Sequence, residues 1–217
     1  MSRPQLVIFD CDGVLVDSEP VANRILGQML RELGLDLTQE QVFENFVGYS
    51  LPHCLRVIEG MLGRPPPENF LRDLQARTFA AFKTELRAMP GIQQVLEALD
   101  AARVPFCVAS SGDHAKMNTT LGLTGLLPRF AGRIFSVTQV ARGKPAPDVY
   151  LLAARQLGAE PGACVVVEDT PPGVQAGVAA GMTVFGFCAH TPEQKLKAAG
   201  AHRTFDDMQR LAAMLSG

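Results

Sequence analysis

The chain has 217 residues, of which 47% are hydrophobic, so it is long enough for one sizeable core and a smaller second module. Twenty Lys and Arg stand against 22 Asp and Glu, and no positive excess is available to bind nucleic acid or an anionic membrane. No apolar run is long enough to span a membrane, and the first residues lack the apolar stretch of a signal peptide. We expect a cytoplasmic protein, either a monomer or a weak homo-oligomer, with a small-molecule substrate.

Short apolar runs rich in Val, Ile and Phe predict strands, because continuous runs of this length are typical of parallel strands covered on both faces. The predicted strands are Leu6–Phe9, Val104–Ala109, Arg133–Ser136, Cys164–Val167 and Met182–Phe187. Helical patterns begin near Gly91, Asp113, Pro147, Pro171 and Thr191. This alternation predicts an α/β protein with an open, doubly wound parallel sheet.

Residues 18–89 interrupt this alternation, because they have helical periodicity and no convincing strand. The helical stretches are Val21–Leu33, Gln39–Phe46, Leu51–Leu62 and Phe70–Leu86. Turn and hinge residues flank the segment, Asp17-Ser18-Glu19-Pro20 before it and Met89-Pro90-Gly91 after it. We therefore predict a catalytic core made of residues 1–17 and 90–217, and a mobile helical cap domain made of residues 18–89.

The strongest chemical signal is the pair Asp10 and Asp12, which leaves the carboxyl end of the first strand and meets Gly13. Ligands of open α/β sheets bind at that end of the strands. Two ionised carboxylates this close repel each other, which implies a compensating cation or a raised pKa, and Mg²⁺ is the default oxygen-liganding divalent ion. In isolation, such a sequence is more often only an acidic turn.

A second acidic pair, Glu168 and Asp169, follows the predicted strand Cys164–Val167. Two acidic strand ends in one sheet favour a metal site. Acidic residues ahead of a helix also serve as caps and complement the helix dipole, so both roles stay open here.

Two further polar segments lie between the acidic pairs. Ser110-Ser111-Gly112 follows a predicted strand, where hydroxyls and backbone amides can hold phosphate oxygens, although an ordinary serine N-cap would look the same. Lys144 lies in a rigid turn of Gly and Pro residues, whereas a lone lysine is usually a solvated surface residue.

Taken in order, the aspartate pair, the serine, the lysine and the second acidic pair resemble the four motifs of the haloacid dehalogenase superfamily. The resemblance covers essentially the whole chain, and the helical insert resembles that superfamily's C1-type cap. More narrowly, the chain is similar to the sugar-phosphate phosphatases related to β-phosphoglucomutase, and residues 107–136 are similar to the bacterial 6-phosphogluconate phosphatases.

The resemblance implies a phosphoric monoester hydrolase that acts on a small phosphorylated metabolite, a sugar phosphate first. It assigns Asp10 as the nucleophile, which forms an aspartyl phosphate and binds the metal, and Asp12 as the general acid and base, whose carbonyl also reaches the metal. Ser110 would bind the phosphoryl group and Lys144 would balance charge. Glu168 and Asp169 would complete the Mg²⁺ site.

Two alternatives remain open. A hexose phosphate mutase shares all four motifs, but mutases carry a histidine near Ala22 and basic residues near Val47 and Leu51, which this chain lacks. A non-catalytic metabolite-binding module on the same fold would be expected to have lost a charged motif residue, and none is missing.

Substrate choice is expected to depend on the cap and on the residues after the serine motif. The cap candidates are Arg24, Gly48, Tyr49, Ser50, His53 and Arg56. The core candidates are Ser111, Gly112, Asp113, His114, Lys116 and Asn118.

Overall fold

The computed structural model describes residues 3–47, 49 and 51–216, and its chain divides into two compact units. One unit combines Met1–Asp17 with Arg87–Gly217, and the other is Ser18–Leu86. The smaller unit is helical throughout its described part, with α1 (Glu19–Glu32), α2 (Gln39–Phe46), α3 (Leu51–Leu62) and α4 (Phe70–Glu85).

Hydrophobic periodicity explains the four helices of the smaller unit. Apolar residues from all four pack into one cluster, which includes Leu30, Val42, Ile58 and Phe70. Helix α2 starts at a capping box in which Thr38 accepts the amide of Gln41 and the Gln41 side chain accepts the amide of Thr38. The bounds of α2 and α3 are those that the sequence pattern predicts. Whether this unit works as a cap stays a prediction.

The larger unit is built on six parallel strands in the order β3-β2-β1-β4-β5-β6. The strands are β1 (Leu6–Phe9), β2 (Phe106–Ser110), β3 (Ile134–Ser136), β4 (Cys164–Glu168), β5 (Thr183–Phe187) and β6 (Arg203–Phe205). The helices of this unit are α5 (Ile92–Ala101), α6 (His114–Leu123), α7 (Asp148–Gln156), α8 (Pro171–Ala179), α9 (Glu193–Ala198) and α10 (Met208–Ser216). The predicted α/β fold with a doubly wound parallel sheet is confirmed. Within the described residues, no helix combines the length and the apolar character that crossing a membrane requires.

The three central strands are buried at every position, which is why their sequences are continuous apolar runs. Side chains of β1, β2 and β4, such as Ile8, Cys107 and Val166, share one cluster with Val149 and Tyr150 of α7. This packing fixes α7 against the sheet, and with it the loop that precedes α7 and carries Lys144.

Close packing of α8 on the sheet depends on Gly177. A Cβ atom at this position would lie 2.7 Å from Val184 Cγ2 and 3.4 Å from Val166 Cβ, in the middle of the core. Because interiors are packed as densely as organic crystals, the extra carbon could fit only if the helix moved.

We expect Gly177→Ala to lower the free energy of unfolding by about 1–3 kcal/mol, the usual cost of overpacking a core. The matched control is Gly162→Ala in the same unit, where no atom lies within 4 Å of the added Cβ. The control should change stability by less than about 0.5 kcal/mol. Urea denaturation of the three proteins checks this, and equal stabilities would contradict the packing argument.

Candidate active site

The predicted motif residues converge because their strands are neighbours. Strand β1 lies between β2 and β4, and Phe9 is in register with both Val108 and Val167. Asp10, Ser110 and Glu168 therefore reach the same carboxyl edge of the sheet, where parallel α/β proteins place their ligand sites. All three are buried.

Lys144 connects two of these strand ends. Its Nζ lies 2.5 Å from Asp10 Oδ1, 2.7 Å from Glu168 Oε1 and 3.1 Å from the carbonyl oxygen of Ala109. Only 4% of the side chain is exposed, so Lys144 is not the solvated surface lysine that its sequence context also allowed. Burial alone would lower the pKa of Lys144, but the carboxylates of Asp10 and Glu168 raise it well above its ordinary value. The ammonium group therefore stays charged.

The environment of Asp10 disfavours the ionised form of its carboxyl group. Burial raises the pKa of its carboxyl group to about 7, Lys144 opposes the rise, and the negative charge of Glu168 adds to it. One ammonium group thus serves two carboxylates and does not fully compensate Asp10. This arrangement would gain from a further positive charge beside Asp10.

Glu168 has all its acceptor positions occupied. Oε1 accepts from Lys144 and from the Tyr150 hydroxyl at 3.0 Å, and Oε2 accepts at 2.9 Å from the Asp169 amide and from both the amide and the hydroxyl of Thr170. A carboxylate offers about four lone-pair positions. The geometry therefore does not support the prediction that Glu168 binds the metal directly, and Glu168 instead positions Lys144.

The N-cap of α8 is a residue outside the second acidic pair. The cap is Thr170, whose hydroxyl accepts the amide of Gly173 at 3.3 Å. Glu168 and Asp169 are therefore not needed as capping residues. Gly173 also gives Glu168 its place, because a Cβ there would lie 1.7 Å from Glu168 Oε1.

Asp169 abuts the turn that carries the aspartate pair. Gly13 has a positive φ of 77°, and a Cβ on it would lie 2.1 Å from Asp169 Oδ2. The glycine of this motif thus serves a conformational purpose and also leaves room for a carboxylate from the neighbouring strand. Asp12 Oδ1 is buried and has no hydrogen-bond partner among the described residues.

These donors fit an open, hydrated magnesium site. When Asp10, Asp12, Glu168 and Asp169 are all ionised, their four charges exceed the two of Lys116 and Lys144, whose ammonium groups pair with Asp12, Asp10 and Glu168 among the described residues. In the described part of the chain, no group of three or more His, Cys, Asp or Glu side chains is arranged to hold a metal ion. Mg²⁺ does not need one, since it usually binds one or two carboxylates and keeps several waters.

Ser110 is not an ordinary N-cap. The cap of α6 is Asp113, whose Oδ1 accepts the amide of Lys116 at 2.7 Å. The Ser110 hydroxyl instead accepts the amide of Gly112 at 3.1 Å at the end of β2. Ser136 on the next strand donates to the Gly112 carbonyl at 2.8 Å and so fixes this turn.

Two residues at the site were not predicted in their observed roles. Lys116, expected only as a possible substrate contact, places its Nζ 2.6 Å from Asp12 Oδ2. Tyr150, which donates to Glu168, was not singled out at all, because in the sequence it is one apolar position of α7. The Asp113 cap is the signal that could have pointed to Lys116, since it places that residue in the first turn of α6.

The remaining substrate-binding candidates receive less support. Arg24 pairs with Glu85 through contacts of 2.7 and 2.6 Å, which link α1 to α4 within the smaller unit. The Tyr49 ring is 41% exposed and stacks on His53 at 4.4 Å between centroids. Ser111 and Asn118 are exposed. Asn118 is two residues beyond Lys116, so it points to the opposite side of α6. Gly48 and Ser50 lie outside the described residues.

Comparison with known proteins agrees with this geometry. The haloacid dehalogenase-like hydrolase family matches residues 4–181. This chain belongs to that family. It is 37% identical over 193 residues to 6-phosphogluconate phosphatase of Escherichia coli, with 87% of this chain and 85% of the relative covered. It is 35% identical over 191 residues to hexitol phosphatase A of the same organism, with the same coverage of both chains.

A solved structure shares the whole architecture. A haloacid dehalogenase family hydrolase from Deinococcus radiodurans, crystallised with phosphate and sodium, is 34% identical and superposes with a TM-score of 0.86. The match covers 100% of this chain and 96% of that one. The predicted family and the predicted enzyme class, a phosphoric monoester hydrolase, are confirmed.

In metal-free buffer, the stability of Asp10→Asn relative to the wild type should rise with pH. The pKa of Asp10 is raised to about 7 in the folded state. Because this value lies above that of the unfolded chain, the ionisable carboxyl costs stability increasingly as the pH climbs from about 4 to 7. The stability gain of the variant should grow by about 2 kcal/mol between pH 5 and pH 8.

Urea unfolding in EDTA at several pH values measures this difference. The control is Asp206→Asn, since that side chain is 63% exposed and pairs only at the surface. A stability gain that does not change with pH would contradict the raised pKa of Asp10.

Proposed function

We propose that this phosphatase requires Mg²⁺ and hydrolyses a sugar phosphate through an aspartyl phosphate formed on Asp10. The observation that carries the proposal is the buried contact of 2.5 Å between Lys144 and Asp10, with Asp12 two residues further on. A carboxylate can attack an anionic phosphate only where fixed positive charge offsets their repulsion.

The metal would be held by the carboxylates of Asp10 and Asp169 and by the backbone carbonyl of Asp12. When bound, Mg²⁺ would neutralise negative charge on the phosphoryl group and on Asp10. Glu168 keeps Lys144 pointing at Asp10, and the Ser110 hydroxyl with nearby backbone amides would hold phosphoryl oxygens.

In the first half-reaction, an Asp10 oxygen forms a bond to phosphorus while the bond from phosphorus to the ester oxygen breaks. The electron pair stays on the ester oxygen, which takes a proton from Asp12 and leaves as an alcohol. In the second half-reaction, water gives a proton to Asp12 and attacks phosphorus. The Asp10–phosphorus bond breaks, and inorganic phosphate and the free carboxylate result.

The proposed substrate class rests on the relatives. Two of them, at 37% and 35% identity over most of both chains, are named for 6-phosphogluconate and hexitol phosphates. Both names describe phosphate esters of polyhydroxylated carbon chains. We propose this class for the present chain, with 6-phosphogluconate as the first compound to test. The cytoplasmic location and the monomeric or weakly oligomeric state stay predictions.

We expect Asp10→Asn to abolish phosphate release, because the amide is a poor nucleophile, and Asp12→Asn to keep residual turnover. General acid–base catalysis typically contributes about 10²–10⁴-fold, which sets the size of the Asp12→Asn loss. Phosphate release from 6-phosphogluconate is measured with Mg²⁺ and again with EDTA, which should stop the reaction. Asp206→Asn serves as the control with unchanged turnover. Equal, mild losses in the Asp10 and Asp12 variants would contradict the assigned roles.

A panel of phosphate esters tests the substrate class. Wild-type protein should hydrolyse sugar and sugar-acid phosphates with a higher kcat/KM than 2-phosphoglycolate or a nucleotide monophosphate. A preference for either of the last two would contradict the proposal. No phosphate release, together with isomerisation of β-glucose 1-phosphate, would instead identify a hexose phosphate mutase.

A further inference from the structure

Lys116 forms an ion pair beside the reacting centre. Its Nζ lies 2.6 Å from Asp12 Oδ2, and the two side chains are 32% and 23% exposed. The pair is partly buried, and Asp12 is two residues along the chain from Asp10.

Two residues that precede Lys116 in the sequence fix the position of its backbone and of its side chain. Asp113 accepts the Lys116 amide at 2.7 Å and so fixes the backbone in the first turn of α6. Gly112 leaves room for the aliphatic stem, since a Cβ there would lie 3.2 Å from Lys116 Cδ and 3.6 Å from Ser110 Oγ. The sequence Ser110-Ser111-Gly112-Asp113 thus ends β2, starts α6 and directs Lys116 towards Asp12.

Asp12 depends on this contact for its orientation. Its Oδ2 accepts from Lys116, while its Oδ1 is buried without a hydrogen-bond partner in the described part of the chain. A carboxylate that is hydrogen-bonded through one oxygen only loses this restraint on its orientation once the contact is removed. Lys116 therefore sets the direction in which Asp12 presents its carboxyl group.

We propose that Lys116 is a positioning residue that orients Asp12 for proton transfer to the leaving ester oxygen. The inference rests on the proposed function, in which Asp12 protonates that oxygen. Lys116 itself neither gains nor loses a proton in this step. A general acid must lie within hydrogen-bond reach of its target, and a displacement of about 1 Å can cost about 10²-fold in rate.

Leaving-group dependence tests this role. An alkyl phosphate such as 6-phosphogluconate leaves as a basic alkoxide and needs a proton, whereas p-nitrophenyl phosphate leaves as a stable phenolate and does not. Lys116→Met, which keeps the stem and removes the charge, should lower kcat/KM on 6-phosphogluconate by about 10–100-fold, because kcat/KM reports the half-reaction in which the ester oxygen leaves. On p-nitrophenyl phosphate it should lower kcat/KM by less than about threefold. Lys116→Arg should restore part of the loss.

A double-mutant cycle separates action through Asp12 from direct contact with the substrate. If Lys116 acts through Asp12, Lys116→Met should cost almost nothing further in the Asp12→Asn background. A loss that persists in that background would overturn the inference, because Lys116 would then bind the substrate itself. Equal losses of kcat/KM on the two esters would overturn it too, as the mark of a merely structural role.

Two comparisons distinguish a failure of this inference from a failure of the proposed function. Lys197→Met removes a lysine that is 59% exposed and whose ion-pair partner among the described residues is Glu193, so its kinetics should match the wild type. An active wild-type protein together with equal losses of kcat/KM on both esters in Lys116→Met overturns the role of Lys116 alone. A folded wild-type protein that hydrolyses neither ester overturns the proposed function and this inference with it.

Discussion

The buried ammonium group of Lys144 is the interaction on which the rest of the site depends. It lies between Asp10 at the end of β1 and Glu168 at the end of β4, with the end of β2 contributing a carbonyl. Removing one partner from a buried ion pair leaves an uncompensated charge, which is strongly destabilising. The three central strand ends are thus tied together by the same charge that the proposed chemistry needs beside its nucleophile.

This arrangement explains several residues that carry no chemistry themselves. Glu168 can hold Lys144 only because Tyr150 and Thr170 occupy its remaining acceptor positions. Gly173 leaves space for that carboxylate, and Thr170 also begins α8. Thr170, Tyr150 and Gly173 therefore all help to hold Lys144 in place through Glu168. Changes at these positions would reach the nucleophile through Lys144, without touching a substrate.

The sequence alone was sufficient to predict the central strands, since their apolar runs are continuous and each ends at a polar motif. It was insufficient for β6 (Arg203–Phe205), an edge strand of three residues in which Arg203 is exposed, so that no apolar run marks it. Of the predicted metal ligands, Glu168 has its oxygens occupied by Lys144, by Tyr150 of α7, by the Asp169 amide and by Thr170 at the α8 cap. Spacing along the chain carries no information about such contacts. The same limit applies to the contact between Lys116 and Asp12, whose residues are 104 positions apart.

Ionisation of Asp10 lowers the stability of the folded protein but is needed for the proposed activity. Burial raises the pKa of Asp10 to about 7, so the folded protein resists ionising the group that the proposed mechanism needs ionised. Lys144 reduces this cost but shares its charge with Glu168. A second lysine, Lys116, is directed to Asp12 and not to Asp10, which leaves the nucleophile undercompensated. A divalent cation beside Asp10 would remove that deficit, and binding it would stabilise the folded state by the same interaction that prepares the carboxylate to attack. The fold thus leaves negative charge at Asp10 incompletely compensated, at the position where the proposed chemistry would use a cation. The well-packed strands supply the stability that offsets this cost.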